Sequence, residues 1–231
     1  MSPVLSALQP VELLVWRHDL RVGVRRVYCV GRNYADHARE MGGDPDREPP
    51  FFFTKFPDTV VPTGSIIAYP PGTNDLHHEV ELVVVIGKSG FKVSPEEAPA
   101  LVLGYAVGLD LTRRDLQAEA KKAGRPWDVA KNFDQAAPIG PIMLKDDIGW
   151  LEKGPISLQV NGETRQSGDL SDMIWSIAEL VSTLSHLYAL EPGDVIFTGT
   201  PAGVGPVVPG DHLVATVAGL APLEVGIGPR R

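Results

Sequence analysis

Along residues 77–87, HHEVELVVVIG, a run of valine, leucine and isoleucine is headed by two glutamates two positions apart. In a strand alternate residues share a face, so Glu79, Glu81, Val83 and Val85 line one side and Val80, Leu82, Val84 and Ile86 the other. Both faces finish apolar, which predicts a strand covered on both sides, with two like charges at its amino end. RRVYCVG and LVLGYAVGLD read as further apolar strands, the first ending in Gly31 and the second running up to Asp110. SLQVNGETRQ predicts a hairpin turning on Asn161 and Gly162, and GDVIFTGTPAGVGPVVPGD a strand feeding a glycine- and proline-rich loop.

Three stretches suit helices. NYADHAREMGG offers Asn33 as N-cap and Gly42 as stop. TRRDLQAEAKKAG pairs Thr112 with Asp115 as a capping box and exits at Gly124. SDMIWSIAELVSTLSHLYAL places Met173, Ile174, Ile177, Leu180, Val181 and Leu184 on one face. Residues 44–65 carry five prolines and read as loops with short extended pieces. Residues 1–23, with VELLVW as a strand and HDLRVG as turn and return, form a small appendage to a main domain spanning 24–231.

Composition narrows the class. The chain has 231 residues, 43% of them hydrophobic, with 21 prolines and 24 glycines. That bounds it to one sizeable α+β domain, rich in β structure, with a few flanking helices and no regular βαβ alternation. The net charge of −8 offers nothing to nucleic acid or to an anionic membrane. An acidic protein can still bind an acidic substrate, through a cation or a focused basic pocket. One cysteine, Cys29, excludes an internal disulfide and fits a reducing compartment; within VYCVG it reads as a buried small hydrophobe. The amino terminus lacks a basic region followed by a long apolar stretch, and no apolar run approaches the roughly 20 residues that span a bilayer. The expectation is a soluble cytoplasmic protein.

The two glutamates lie roughly 6–7 Å apart at Cα, from the strand rise. Burying both unpaired and ionised costs several kcal/mol unless one takes up a proton or a cation binds between them. Two readings stay open on this feature alone: the strand emerges into water, or the carboxylates hold a divalent cation. Asp110 supplies a third carboxylate, at a strand end just before a helix, where its alternative role is helix capping. Three oxygen ligands and no cysteine favour Mg²⁺ or Mn²⁺ over zinc. His77 shares the face of the glutamates and leaves room for a softer ion.

His37 and Glu40, three apart on a helix, are neighbours on one face, a carboxylate beside an imidazole that it orients as a base; an ordinary surface pair has the same spacing. Gly42 and Gly43 follow and suit a lid that moves. Arg114 and Gln117 share the first turns after Asp110 and offer a bidentate fork and a neutral donor for a carboxylate, although Lys121 on the same side also suits a solvated face. Lys131 is a fixed positive charge or a plain surface lysine. GTPAGVG, 199–205, lacks the lysine and hydroxyl of a phosphate loop, and its prolines oppose a helix there; it suits a turn that donates N–H groups to a small anion, with Thr200 adding a hydroxyl.

GRNYADHAREM, FFFTK, HHEVELVVVIGK, GYAVGLDLTRRDLQ, GRPWDVAKNFD, VNGETRQ and GDVIFTGTPAGVGPV run in the order of the fumarylacetoacetate hydrolase family and span nearly everything from residue 25 to about 215. The chain resembles that family, and within it most closely the fumarylpyruvate-hydrolysing, acylpyruvase branch. The resemblance implies a mixed β-sheet roll or barrel, homodimers, and Mg²⁺ or Mn²⁺ held by Glu79, Glu81 and Asp110. It implies His37 and Glu40 as the water-activating pair, and Lys131, Arg114, Gln117 and Thr200 at substrate-contacting positions. Lys55 maps there too, but Phe56 stands where the family usually has proline. The implied reaction is metal-dependent cleavage of an acylpyruvate, a 2,4-dioxo acid, with fumarylpyruvate yielding fumarate and pyruvate in gentisate-type aromatic catabolism. Alternatives on the same site are oxaloacetate decarboxylation, a broad acylpyruvase, and an isomerase or decarboxylase of the homoprotocatechuate pathway. An alternative of another class is a non-catalytic, metal-stabilised binding module.

Overall fold

Every residue of the strand Val80–Ile86 is buried, as its two apolar faces require. The computed structural model describes residues 10–35 and 48–230. This strand sits inside a large mixed sheet, running in the order Phe51–Lys55, Arg26–Gly31, Asp194–Phe197, Val80–Ile86, Val102–Leu109, Ala137–Ile139, Val60–Pro62, with Met143–Leu144 also paired to Val102–Leu109. Its even positions, Leu82, Val84 and Ile86, pack into the main core with Ile156, Leu158, Leu213 and Val225. Those partners come from a second sheet of five strands, ordered Glu163–Asp169, Pro155–Val160, His212–Val217, Leu223–Arg230, Ile66–Tyr69. Its odd positions, Val83 and Val85, face a smaller core with Val27, Cys29, Val195 and Phe197. Each such side chain taken fully out of water contributes about 1.5–3 kcal/mol. The architecture is a β-rich curled mixed sheet with few helices.

The segment 77–87 is not one strand. Val80 and Glu81 pair with Leu109 and Gly108 in the large sheet. The same two chains then pair again, His77 with Thr112, in a separate small sheet of Thr112–Arg113, Leu76–His78 and Gly205–Val207. The chain breaks at Glu79 on one side and at Asp110 and Leu111 on the other. The Asp110 N–H donates to the Glu79 carbonyl at 2.9 Å and fastens the two breaks together. A corner between two sheets therefore lies where the carboxylates sit.

Tertiary partners override one local expectation. Thr112 and Asp115 do not form a capping box on the helix Arg114–Lys122, which has no side-chain cap. Thr112 donates its hydroxyl to the Asp110 carbonyl, and Asp115 accepts from the Thr73 hydroxyl and the Asn74 N–H. The Asn33 amide donates to the carbonyls of Trp175 and Thr198 and accepts from the Trp175 N–H. Most of the helix expected after it lies outside the described residues. The helix Ile177–Leu187 starts at a Ser176–Glu179 capping box, so Met173 and Ile174 precede it, while Ile177, Leu180, Val181 and Leu184 are its buried apolar face. Asn161 and Gly162 turn the hairpin with φ of 53° and 83°, as a two-residue turn of that sequence demands. The strands Glu12–Leu14 and Arg21–Gly23 pair as a hairpin whose Leu13, with Val15 just beyond, joins the smaller core.

Gly108, opposite Glu81, allows the two strands to close on Phe197: a Cβ there would lie 2.5 Å from Val83 Cγ2 and 2.6 Å from Phe197 Cε1. Gly108→Ala is expected to lower stability by about 1–3 kcal/mol through overpacking, read as a fall in the urea midpoint at unchanged slope.

Candidate active site

The corner brings Glu79, Glu81 and Asp110 together. One carboxylate oxygen from each lies within 4.8 Å of the others, and all three residues are buried. Glu79 and Glu81 share a face by strand alternation, and the pairing of the two broken strands sets Asp110 against them. Burial pushes the Glu81 carboxyl well above the usual carboxylate range, and the charges of Asp110 and Glu79 push it further. The Gly199 N–H, donating to Glu81 at 2.6 Å, and the Lys131 charge oppose this only in part. A hard divalent cation suits such a site: three oxygen donors converge in a dry corner, and cation binding turns their repulsion into shared attraction. Among the described residues, neither His77 nor His78 joins the cluster. His77 Nε2 lies 2.9 Å from Asp75, its Nδ1 accepts weakly from Arg114 Nε at 3.4 Å, and His78 is taken up by Gln166.

Three basic side chains hold the carboxylates. Lys131 Nζ donates to Glu79 at 2.9 Å, to Asp110 at 2.7 Å and to the Thr112 hydroxyl at 2.7 Å, so all three of its protons are engaged. Burial disfavours its charge, but Asp110 and Glu79 outweigh that and raise its pKa, keeping it an ammonium. Lys55 lies deeper and does not line the cavity. Its ammonium donates to the carbonyls of Leu111 at 3.0 Å and Lys131 at 2.5 Å and pairs with Asp110 Oδ1 at 2.8 Å. Arg114 pairs with Glu79 and donates to Gln117 Oε1 at 2.5 Å. Because a guanidinium only donates, the Gln117 atom facing Arg114 is Oε1.

Arg114, Gln117, Lys121, Lys131, Thr200 and the three carboxylates line one cavity. Lys121, whose place on the helix also suited a solvated face, is therefore part of the wall. Phe51, Phe53 and Trp127 form an aromatic side of it, with ring centroids of Trp127 at 5.3 Å and 5.9 Å from the two phenylalanines. Arg32 lines it as well, in a left-handed conformation with φ 59°. That conformation costs an arginine about 1–2 kcal/mol and is held by Asn33, whose amide bonds pin the next residue. Gly199, with φ 99°, lets the GTPAGVG loop approach: a Cβ on it would lie 2.7 Å from Asn33 Cβ. The Gly199 N–H thus meets a protein carboxylate. His37 and Glu40 lie outside the described residues.

Sequence reasoning missed Gln166, Thr112 and the aromatic wall as parts of the site. Gln166 was legible only as the end of VNGETRQ, and Thr112 carried a competing capping signal. FFFTK marked the aromatic residues without saying which way they faced.

The chain matches the family model described as fumarylacetoacetate (FAA) hydrolase C-terminal over residues 26–227. It is 46% identical over 191 residues to a fumarylpyruvate hydrolase of Ralstonia sp, covering 82% of this chain and 99% of that one. It is 46% identical over 196 residues to the mitochondrial oxaloacetate tautomerase of Homo sapiens, covering 85% and 88%. The crystal structure of fumarylpyruvate hydrolase from Pseudomonas aeruginosa in complex with Mn²⁺ and pyruvate superposes with a TM-score of 0.97 at 50% identity, over 99% of this chain and 100% of that one. Fold, site geometry and sequence agree: this chain belongs to the fumarylacetoacetate hydrolase family.

Proposed function

We propose that this chain hydrolyses the carbon–carbon bond of an acylpyruvate, with fumarylpyruvate as substrate and fumarate and pyruvate as products, and that it depends on Mg²⁺ or Mn²⁺. The observation that carries this reading is the buried carboxylate triad in a basic cavity, in a chain half identical to a fumarylpyruvate hydrolase solved with Mn²⁺ and pyruvate. Charge supports it. The whole chain is at −8, yet the cavity wall carries Arg32, Arg114, Lys121 and Lys131 against Glu79, Glu81 and Asp110, with Lys55 beneath. A divalent cation added to that set favours a dianion, and fumarylpyruvate carries two carboxylates.

Glu79, Glu81 and Asp110 would hold the cation, and what it supplies is Lewis acidity toward the oxygens of a 2-oxo acid. The remaining work falls to the chain. Arg114, the Gln117 amide and the Thr200 hydroxyl orient the 2-oxo acid end. His37, turned by Glu40, takes the proton from the attacking water. The Lys131 charge, held at the cavity wall with its three protons on Glu79, Asp110 and Thr112, stabilises through its field the oxyanion that develops at the distal carbonyl. Lys55 acts as a strut for Asp110 and Lys131, since its protons are engaged below the cavity. Arg32 meets the distal carboxylate: among the described residues it has no ion-pair partner, and it faces the same cavity. Residues 24–231 form the catalytic unit with 1–23 as its appendage, and the enzyme works as a cytoplasmic homodimer in aromatic catabolism, as the family likeness implies. Among the described residues no helix is long and apolar enough to cross a membrane.

A second reading, action on oxaloacetate, is favoured by the 46% identity to the human tautomerase. Steady-state assays of fumarylpyruvate, acetylpyruvate and oxaloacetate side by side separate the two. Fumarylpyruvate is expected to be the best substrate, with activity abolished by EDTA and restored by Mn²⁺ or Mg²⁺. Turnover of oxaloacetate alone would overturn the leading reading. His37→Ala is expected to lower kcat by about 10²–10⁴-fold, and full activity would remove its role as base. Arg32→Ala is expected to raise KM about tenfold or more for fumarylpyruvate while leaving acetylpyruvate, which lacks the distal carboxylate, within about twofold; equal effects on both would reject the assignment.

A further inference from the structure

Gln166 ends the VNGETRQ segment on an edge strand of the five-stranded sheet, yet its side chain is only 1% exposed. A hairpin needs no buried amide there. The amide lies between three pieces of chain: the strand head around Glu79, the loop after Gly199, and its own strand. Two backbone groups settle which way it points. The Val80 N–H can only donate, so the atom 3.0 Å from it is Oε1; the Pro201 carbonyl can only accept, so the atom 2.9 Å from it is Nε2. The second lone pair of Oε1 faces His78 Nδ1 at 2.9 Å, which places the imidazole proton on Nδ1. The second Nε2 proton goes to Thr200 Oγ1 at 2.8 Å. Thr200 therefore accepts a hydrogen bond from the protein, and its own proton must point elsewhere. Among the described residues that proton has no acceptor, and Thr200 lines the cavity beside the carboxylates.

We infer that Gln166 is a positioning residue that fixes Thr200 as a hydrogen-bond donor into the cavity, aimed at the anionic 2-oxo acid end of the substrate. The identity of that acceptor rests on the acylpyruvate reading; the polarity of the chain from Val80 and Pro201 through Gln166 to Thr200 does not. Gln166 also ties Thr200 to the strand that carries Glu79 and Glu81, so the hydroxyl and the carboxylates keep one geometry.

A double-mutant cycle tests this. Gln166→Glu replaces the donor with an acceptor, so the Thr200 hydroxyl turns round to donate to it and is withdrawn from substrate. Thr200→Val removes the hydroxyl at nearly constant shape, and Thr200→Ser keeps it. The readouts are KM and kcat with fumarylpyruvate, and pyruvate affinity by calorimetry with Mn²⁺ present. Gln166→Glu and Thr200→Val are each expected to raise KM and weaken pyruvate binding about tenfold, as for a lost hydrogen bond to a charged group, with kcat changed far less. The double variant is expected to fall within about twofold of Thr200→Val, and Thr200→Ser within about threefold of wild type. Effects that multiply in the double variant would show Gln166 to be merely structural and overturn the inference. A second measurement needs no variant to fold: long-range ¹H–¹⁵N spectra of histidine-labelled wild type should show His78 protonated at Nδ1 and bare at Nε2. A proton on Nε2 instead would reject the Gln166 orientation. Wild type inert toward fumarylpyruvate and pyruvate would sink the functional reading and the Thr200 acceptor with it. An active wild type with an additive cycle would sink the Gln166 inference alone.

Discussion

Three carboxylates forced together in a dry corner are the constraint on which the rest of this molecule turns. Glu79, Glu81 and Asp110 repel one another where little water can screen them, and burial holds Glu81 well above the usual carboxylate range. Such a cluster persists only because the surrounding structure over-determines it. Two neighbouring strands leave one sheet and join another at the same level, and the bond from the Asp110 N–H to the Glu79 carbonyl locks the change of partner. The valine-rich strand behind it is packed on both faces and gives the corner no room to relax.

Around the triad the charged groups form a graded set. Lys55, lowest, spends its protons on two backbone carbonyls and Asp110 and so fixes the floor. Lys131, above it, bridges Glu79, Asp110 and Thr112 and reaches the cavity wall. Arg114 stands at the side, tied to Glu79 and Gln117 and touched by His77. Each cation offsets part of the repulsion, although at Glu81 burial and the other two carboxylates still outweigh it. An acidic protein thereby presents a basic cavity, and the focused charge decides what enters more than the net charge does.

Hydrolase and oxaloacetate tautomerase relatives resemble this chain to the same degree, at 46% identity each, so overall likeness does not separate the two reactions. What separates such reactions lies further out: the groups that handle water and protons, and those that meet the far end of the substrate. Phe51, Phe53, Trp127 and Arg32 line the same cavity as the carboxylates. The left-handed backbone at Arg32 keeps strain at a point that faces the cavity, where strain is tolerated when geometry matters.

Much of this was legible from residue order. Alternation in HHEVELVVVIG told which side Glu79 and Glu81 share, the spacing of Arg114, Gln117 and Lys121 put them on one helix face, and Asn161-Gly162 announced its hairpin, because these patterns depend only on local backbone periods. Thr112 was misread as half of a capping box, since its hydroxyl is engaged by the nearby Asp110 carbonyl and by Lys131 of a separate element. Lys55 is predicted at the cavity and lies beneath it, because depth along a shared direction is set by what packs above. Gln166 could not be found at all from VNGETRQ, as its four partners are supplied by two segments far from it in the chain. By itself, then, the sequence determined the strands, the pairing of the two glutamates, the chemistry of the donor set and the family. Only the tertiary structure decided that the strands break at Glu79 and Asp110 and which groups hold the corner, because hydrogen-bond partners and burial are properties of the packed chain.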